Sequence, residues 1–231
     1  MSAAAPGIAA PVRALRFWNT TIGKKAVMAV SGLILALFVL GHLIGNLQIF
    51  LGPDQFNGYA RTLRHLPEIV WPVRAILLVM VLLHIWSSLQ LAVVKSEARP
   101  VGYRKKQAAG SSYASRTMYW SGPIIAAFVI YHLMQFTFGA GGTPYHEFDA
   151  YGNVISGFRV PIVSIFYIVA MGLLCLHLRH GLWSLFQSLG FSHPRHTPAI
   201  QRAASLVSLF VFFGFSSIPV AVMLHVIPRV I

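Results

Sequence analysis

Charge and cysteine are what this sequence has least of. Only 10% of its 231 residues are charged, while 56% are hydrophobic. A soluble domain carries about 25% charged residues, so one compact membrane bundle is expected instead. The lone cysteine, Cys175, excludes a disulfide, a Cys-based zinc site and the CxxCH attachment of a c-type haem. A cleavable leader is not expected, because "PVRALRFWNTTIGKK" has no short apolar region followed by a small-residue cleavage site. Internal repeats and low-complexity tracts are also lacking. The formal net charge of +13 looks like that of a nucleic-acid binder. The basic residues, however, sit in short segments between apolar runs, where topology signals lie, so nucleic acid is not an expected partner.

What is present is a series of long apolar runs, near residues 26–50, 72–94, 118–138, 160–187 and 203–227. Each exceeds the ~20 residues that a ~30 Å hydrocarbon core requires. The expected fold is all-α: one membrane domain over residues 1–231 with five transmembrane helices, the first four forming an up-down bundle. Pro72, Pro123 and Pro161 are expected in first turns, where a missing N–H costs little. Pro219 is expected inside the last span. Arg13, Arg16, Lys24, Lys25, Lys95, Arg99, Arg104, Lys105, Lys106, Arg116, Arg179, Arg195 and Arg202 fall on one side; Arg61, Arg64, Arg74, Arg159 and Arg229 fall on the other. The positive-inside rule then puts the N-terminus in the cytoplasm and the C-terminus outside.

The ten histidines divide by position. His65, His146, His193 and His196 fall in loops, and His225 lies near the end of span five. His42, His84, His132, His177 and His180 lie within or close to apolar helix. A single membrane histidine usually makes a helix–helix hydrogen bond. One histidine on each of four successive helices calls for a further reason. His42 stands 17 residues after Lys25, roughly 25 Å up span one, and His132 stands 16 after Arg116, about 24 Å up span three. His84 lies 11 residues before Lys95, and His177 lies 11 before Ser188, so both are roughly 16 Å from the cytoplasmic helix ends.

The matching depths pair helix one with three and helix two with four. These are diagonal partners in an up-down bundle. Opposed imidazoles at one depth suit a porphyrin iron with an axial ligand on each face, and a bis-histidine iron without an open position favours electron transfer. Two pairs at two depths would hold two b-type haems. Gly41, Gly45 and Gly181 give a macrocycle room near the backbone, or form ordinary small-residue helix contacts. Arg116, Arg179 and His180 are candidates for the propionates, with positive-inside anchoring the plain alternative for the arginines. His177 and His180 project about 60° apart on one helix, so only one need bind iron. Depth favours His177, and geometry alone leaves both open.

Several segments resemble a known family: "GKKAVMAVSGLILALFVLGHLIGNLQIF", "LLHI", "SSYASRTMYWSG", "IYHLMQFTFG" and "HLRHGLWSLFQSLGF". In this order and spacing, over most of residues 17–220, the chain resembles the cytochrome b subunit of succinate:quinone oxidoreductase or fumarate reductase, in its single-subunit, five-helix, two-haem form. The resemblance implies that His42 and His132 ligate an outer haem b, and His84 and His177 an inner one. The "HxxxGLWS" pattern selects His177 over His180. It also implies a flavoprotein and an iron–sulfur subunit on the cytoplasmic face of a bacterial inner membrane, with menaquinone as electron acceptor, and allows a higher oligomer of the complex. Some relatives carry a glutamate two positions before the span-four ligand, implicated in transmembrane proton transfer. Cys175 stands there, so a proton route of that kind is not expected.

For quinone, Arg16, Trp18, Ser31 and His180 are candidates on the cytoplasmic side, and Asn46, Gln48, Glu68 and Arg74 on the outer side. The segment "TPYHEFDAYGN", with His146, Glu147 and Asp149, reads as a solvated outer loop. The basic 95–117 segment faces partner subunits or anionic lipid. Two rival functions share the histidines: a dihaem anchor of a nitrate reductase, formate dehydrogenase or hydrogenase, and a transporter whose histidines relay protons or bind metal.

Overall fold

The long apolar runs fold as helices, and all but the fourth begin about five residues earlier than the run itself. The computed structural model describes residues 17–98 and 113–227. Its helices are α1 (Thr21–Leu47), α2 (Pro53–Arg64), α3 (Pro67–Glu97), α4 (Tyr113–Phe136), α5 (Ala150–Phe158), α6 (Pro161–Ser188) and α7 (Thr197–Met223). Short 3₁₀ turns cover Phe17–Asn19 and Gln48–Leu51, and there is no strand among the described residues. Four of these helices are long and apolar enough to cross a membrane: α1 with the turn that follows it, α3, α6 and α7. Helix α4 occupies the place of the third expected span and has 24 residues. Tyr119, Trp120, Pro123, Tyr131, His132 and Gln135 dilute its apolar character, so composition does not mark it as a fifth span.

The helix starts have local causes. Thr20 caps α1, its hydroxyl accepting the Gly23 N–H at 2.9 Å. Pro161 opens α6 as expected. Pro72 and Pro123 do not lie in first turns; they lie inside α3 and α4. Helix α3 starts instead at Pro67, whose fixed φ suits a first helical position. Each internal proline removes one backbone donor and frees the carbonyl four residues back.

Helix α1 packs on α3, α6 and α7, and α6 packs on α4 and α7. The pairs α1–α4 and α3–α6, expected as diagonals, do not pack extensively among the described residues, and neither does α3–α4. Along α3 only Ser87 is buried, while Trp71, Leu78, Leu82 and Leu89 are exposed. A helix that is apolar on nearly every face without being covered by protein is suited to lipid. Three contacts set its register against α1: Lys24 Nζ donates to Gln90 Oε1 at 3.1 Å, Ser87 Oγ to Met28 Sδ at 3.7 Å, and Ser31 Oγ lies 3.2 Å from His84 Nδ1. Lys24 is therefore level with Gln90, and Lys95 lies about 7 Å further toward the C-terminal end of α3.

The densest core lies at the opposite end, where Phe56, Phe128, Ile155, Phe158, Tyr167, Met171, Ile218 and Val222 form one cluster. Two short helices close this end, and neither was expected. The "TPYHEFDAYGN" segment is an exposed loop through His146, Glu147 and Phe148, as expected, and then turns into α5 at Ala150. Asp149 caps α5 by accepting the Gly152 N–H at 2.9 Å. Asn153 accepts the His146 N–H and donates to its carbonyl, each at 2.7 Å. Tyr151, Val154, Ile155 and Phe158 of α5 are buried. Asn57 of α2 ties the two helices together: it donates to Asp149 Oδ1 at 3.0 Å and accepts the Tyr151 N–H at 2.9 Å.

Asn57→Ala leaves that buried N–H without its acceptor. It should destabilise the protein by about 1–3 kcal/mol, measured as a lower thermal midpoint in detergent with the helix content unchanged. An unchanged midpoint would show that the cap is held by apolar packing alone.

Candidate functional site

The bundle's diagonals bring the four spanning histidines together in two pairs. His42 of α1 and His132 of α4 have ring centroids 5.8 Å apart, with planes at 84°. His84 of α3 and His177 of α6 have centroids 6.1 Å apart, with planes at 61°. These are the pairs expected from depth. Two imidazoles bonded in line to one metal, each through a bond of ~2 Å, also place their ring centroids about 6 Å apart.

Neighbouring hydroxyls orient two of the rings. Ser31 Oγ donates to the Val27 carbonyl at 2.7 Å, so toward His84 Nδ1, 3.2 Å away, it acts as an acceptor. Tyr167 OH donates to Gln135 Oε1 at 2.8 Å, so it likewise accepts from His132 Nδ1 at 3.3 Å. In both cases Nδ1 carries the proton and Nε2 keeps a free lone pair, the arrangement that suits a metal-ligating imidazole. Ser121 Oγ stands 3.5 Å from His177 Nδ1. His42 differs: Asn46 Nδ2 is 3.3 Å from both of its ring nitrogens and makes its better bond to the His42 carbonyl, at 2.7 Å.

The contacting residues also measure the distance between the pairs. Ser31, against His84, and His42 are 11 residues apart on α1, or ~16 Å along the axis. Ser121, against His177, and His132 are 11 apart on α4, again ~16 Å. Tyr167, against His132, and His177 are 10 apart on α6, ~15 Å. Three helices thus agree. The depths counted from the flanking charges imply only ~9 Å. The discrepancy comes from α3 and α6, whose reference residues Lys95 and Ser188 lie beyond the level of Lys24 and Arg116.

The walls of the two sites differ. Phe38, Phe128, Phe136, Tyr167 and Phe215 surround the outer pair with aromatic rings. The inner pair is lined by small residues: Ser31, Ser121 and Gly32, where an added Cβ would stand 3.1 Å from His84 Cε1. Gly41 and Gly181 open onto free space, whereas Gly45 is packed beneath Tyr59 of α2.

The remaining candidates are placed differently. Arg179 lies two residues beyond His177, about 200° round the helix. It turns to α7, where its Nε donates to Ser205 Oγ at 3.1 Å, and is not brought to the inner pair. His180 is half-buried one turn beyond His177. Among the quinone candidates, Ser31 and Asn46 engage His84 and His42, and Gln48 accepts from Gln55 at 3.2 Å. Arg74 lies over the Trp71 ring, and Glu68 is exposed. Arg16 and the side chains of Trp18 and Arg116 lie outside the described residues, as does most of the basic 95–117 segment.

Sequence reading missed Ser121, Tyr167 and Gln135. A signal for the first was present: Ser31–His42 and Ser121–His132 repeat one spacing on the two helices that carry the outer histidines.

The tautomers are directly testable. Imidazole nitrogen shifts of the purified chain should report Nδ1–H for His84 and His132, and Ser31→Ala should release this preference at His84 alone. An Nε2–H tautomer at His84 in the unsubstituted chain would contradict the role assigned to Ser31.

Comparison with protein-family models, with curated proteins and with solved structures finds no match to this chain.

Proposed function

We propose that the chain is a dihaem cytochrome b anchor, with His42 and His132 ligating an outer haem and His84 and His177 an inner one. The observation that carries this reading is the pair of histidine pairs, at 5.8 and 6.1 Å, on the two diagonals of one bundle. The donor set fits haem better than a bare ion. No group of three or more His, Cys, Asp or Glu suited to a metal occurs among the described residues, and two imidazoles alone hold an ion weakly. A porphyrin supplies the four in-plane nitrogens itself, so two axial imidazoles suffice. A haem ligated on both faces supplies one-electron transfer and leaves no position for an exogenous ligand.

The residues of the chain then have distinct roles. Ser31 and Tyr167 fix the imidazole tautomers and ring planes of His84 and His132. Gly32 lets α1 lie close against the inner pair. The aromatic wall keeps water from the outer pair. In this reading α4 crosses the membrane as a fifth span: its polar residues Ser121, His132 and Gln135 face α6 and its histidine partners, where they are satisfied within the bundle.

The proposal extends to the complex. The sequence resemblance supports a succinate:quinone oxidoreductase or fumarate reductase of a bacterial inner membrane, with a flavoprotein and an iron–sulfur subunit on the cytoplasmic face. Electrons would pass by way of this subunit to membrane quinone, with menaquinone the expected one. The succinate-oxidising site belongs to the flavoprotein. Dihaem anchors of nitrate reductase, formate dehydrogenase or hydrogenase would share the haems and differ in their partners and in which helices supply the ligands.

A pyridine haemochrome assay of the detergent-purified complex should give two haems b per polypeptide, with a flavoprotein and an iron–sulfur protein co-purifying. A molybdenum or nickel partner would point to the other anchors; a colourless protein would return the histidines to transport or structure. His84→Ala should lose the inner haem and keep the outer, and retention of both would overturn the pairing.

A further inference from the structure

Arginines on the two helices meet on the lipid-facing side of the α6–α7 seam. Arg179 of α6 and Arg202 of α7 line an open groove of about 470 Å³ together with Pro198, Gln201, Ser205 and Leu206. Arg179 already donates to Ser205 across the seam. None of the six lining residues is acidic. The chain has only five acidic side chains; Asp54, Glu68, Glu147 and Asp149 lie at the opposite end of the bundle, and Glu97, at the end of α3, is not among the lining residues. The two guanidiniums face a groove whose own lining supplies no counter-ion.

The surroundings indicate the kind of anion. Pro198, Gln201, Arg202 and Ser205 follow helical spacing on one face of α7, and Leu206, Leu209, Phe210 and Phe213 continue that face away from the cytoplasmic end. These four apolar side chains are exposed, Leu206 by 68% and Phe213 by 64%. A polar, cationic head region above an uncovered apolar strip matches a molecule with a phosphate at one end and acyl chains at the other. A zwitterionic headgroup would bring an amine or choline that finds no acid here.

We propose that this groove binds the phosphodiester headgroup of an anionic phospholipid, with Arg179 and Arg202 on the phosphate, Gln201 and Ser205 as further polar contacts, and the acyl chains along Leu206–Phe213. The site is independent of the histidine pairs. Free inorganic phosphate shares the recognised chemistry but makes no use of the apolar strip.

Native mass spectrometry of the full complex in detergent tests this, with phosphatidylglycerol, phosphatidylcholine and inorganic phosphate as probes. Phosphatidylglycerol should be retained over phosphatidylcholine, millimolar phosphate should not displace it, and Arg179→Gln with Arg202→Gln should weaken it about thirtyfold, from about 1 kcal/mol per basic residue. Equal retention of the two lipids, displacement by phosphate, or undiminished binding by the double variant would overturn the site. Preferential capture of a pentaglutamate peptide would also overturn it, assigning the groove to a protein partner. Should the double variant fail to fold, the selectivity of the unsubstituted complex decides.

Discussion

An imidazole inside an apolar bundle needs a polar partner, because lipid supplies none. In this chain that constraint falls on four histidines, and the arrangement of the helices follows from how it is met. Each ring stands against its diagonal counterpart; His84, His132 and His177 also meet a hydroxyl from a neighbouring helix, and His42 meets Asn46 of its own helix. The links run from α1 to α3 through Ser31 and from α4 to α6 through Ser121 and Tyr167. The four helices are thus fixed to one another at two levels. Because α1, α4 and α6 all measure nearly the same interval between the levels, a one-turn slip of any of them would break one pair and the hydroxyl contact at the other level.

The two ends of the bundle are built differently. At the outer end, α2 and α5 fold over the helix ends, tied by Asn57 and filled by Tyr151, Ile155 and Phe158. Aromatic rings crowd the His42–His132 pair. At the opposite end the His84–His177 pair has serine and glycine around it, and α3 packs mainly on α1.

Much of the fold could be read directly. Apolar runs mark where helices form because backbone groups in lipid must be satisfied within a helix. The alternation of the spans makes first and third, second and fourth, diagonal partners, so the histidine pairs follow from chain order and depth. The axial offset of α3 could not be read, since it depends on contacts between two helices, Lys24–Gln90, Met28–Ser87 and Ser31–His84, and not on either helix alone. Helices α2 and α5 were also hidden: they are short and rich in glycine and asparagine, and they gain their stability from burial against other elements.

What the sequence by itself determined is the number of long helices, their order, and the histidines that each contributes, because these depend on local composition and on spacing along one chain. What only the tertiary structure decided is the direction in which side chains at nearly the same depth turn. His177 and Arg179 are two residues apart, yet one meets α3 and the other α7. Ser31, a candidate for quinone, is committed to His84. Helical rotation sends neighbours to opposite sides, and only the positions of the surrounding helices determine what each of them meets.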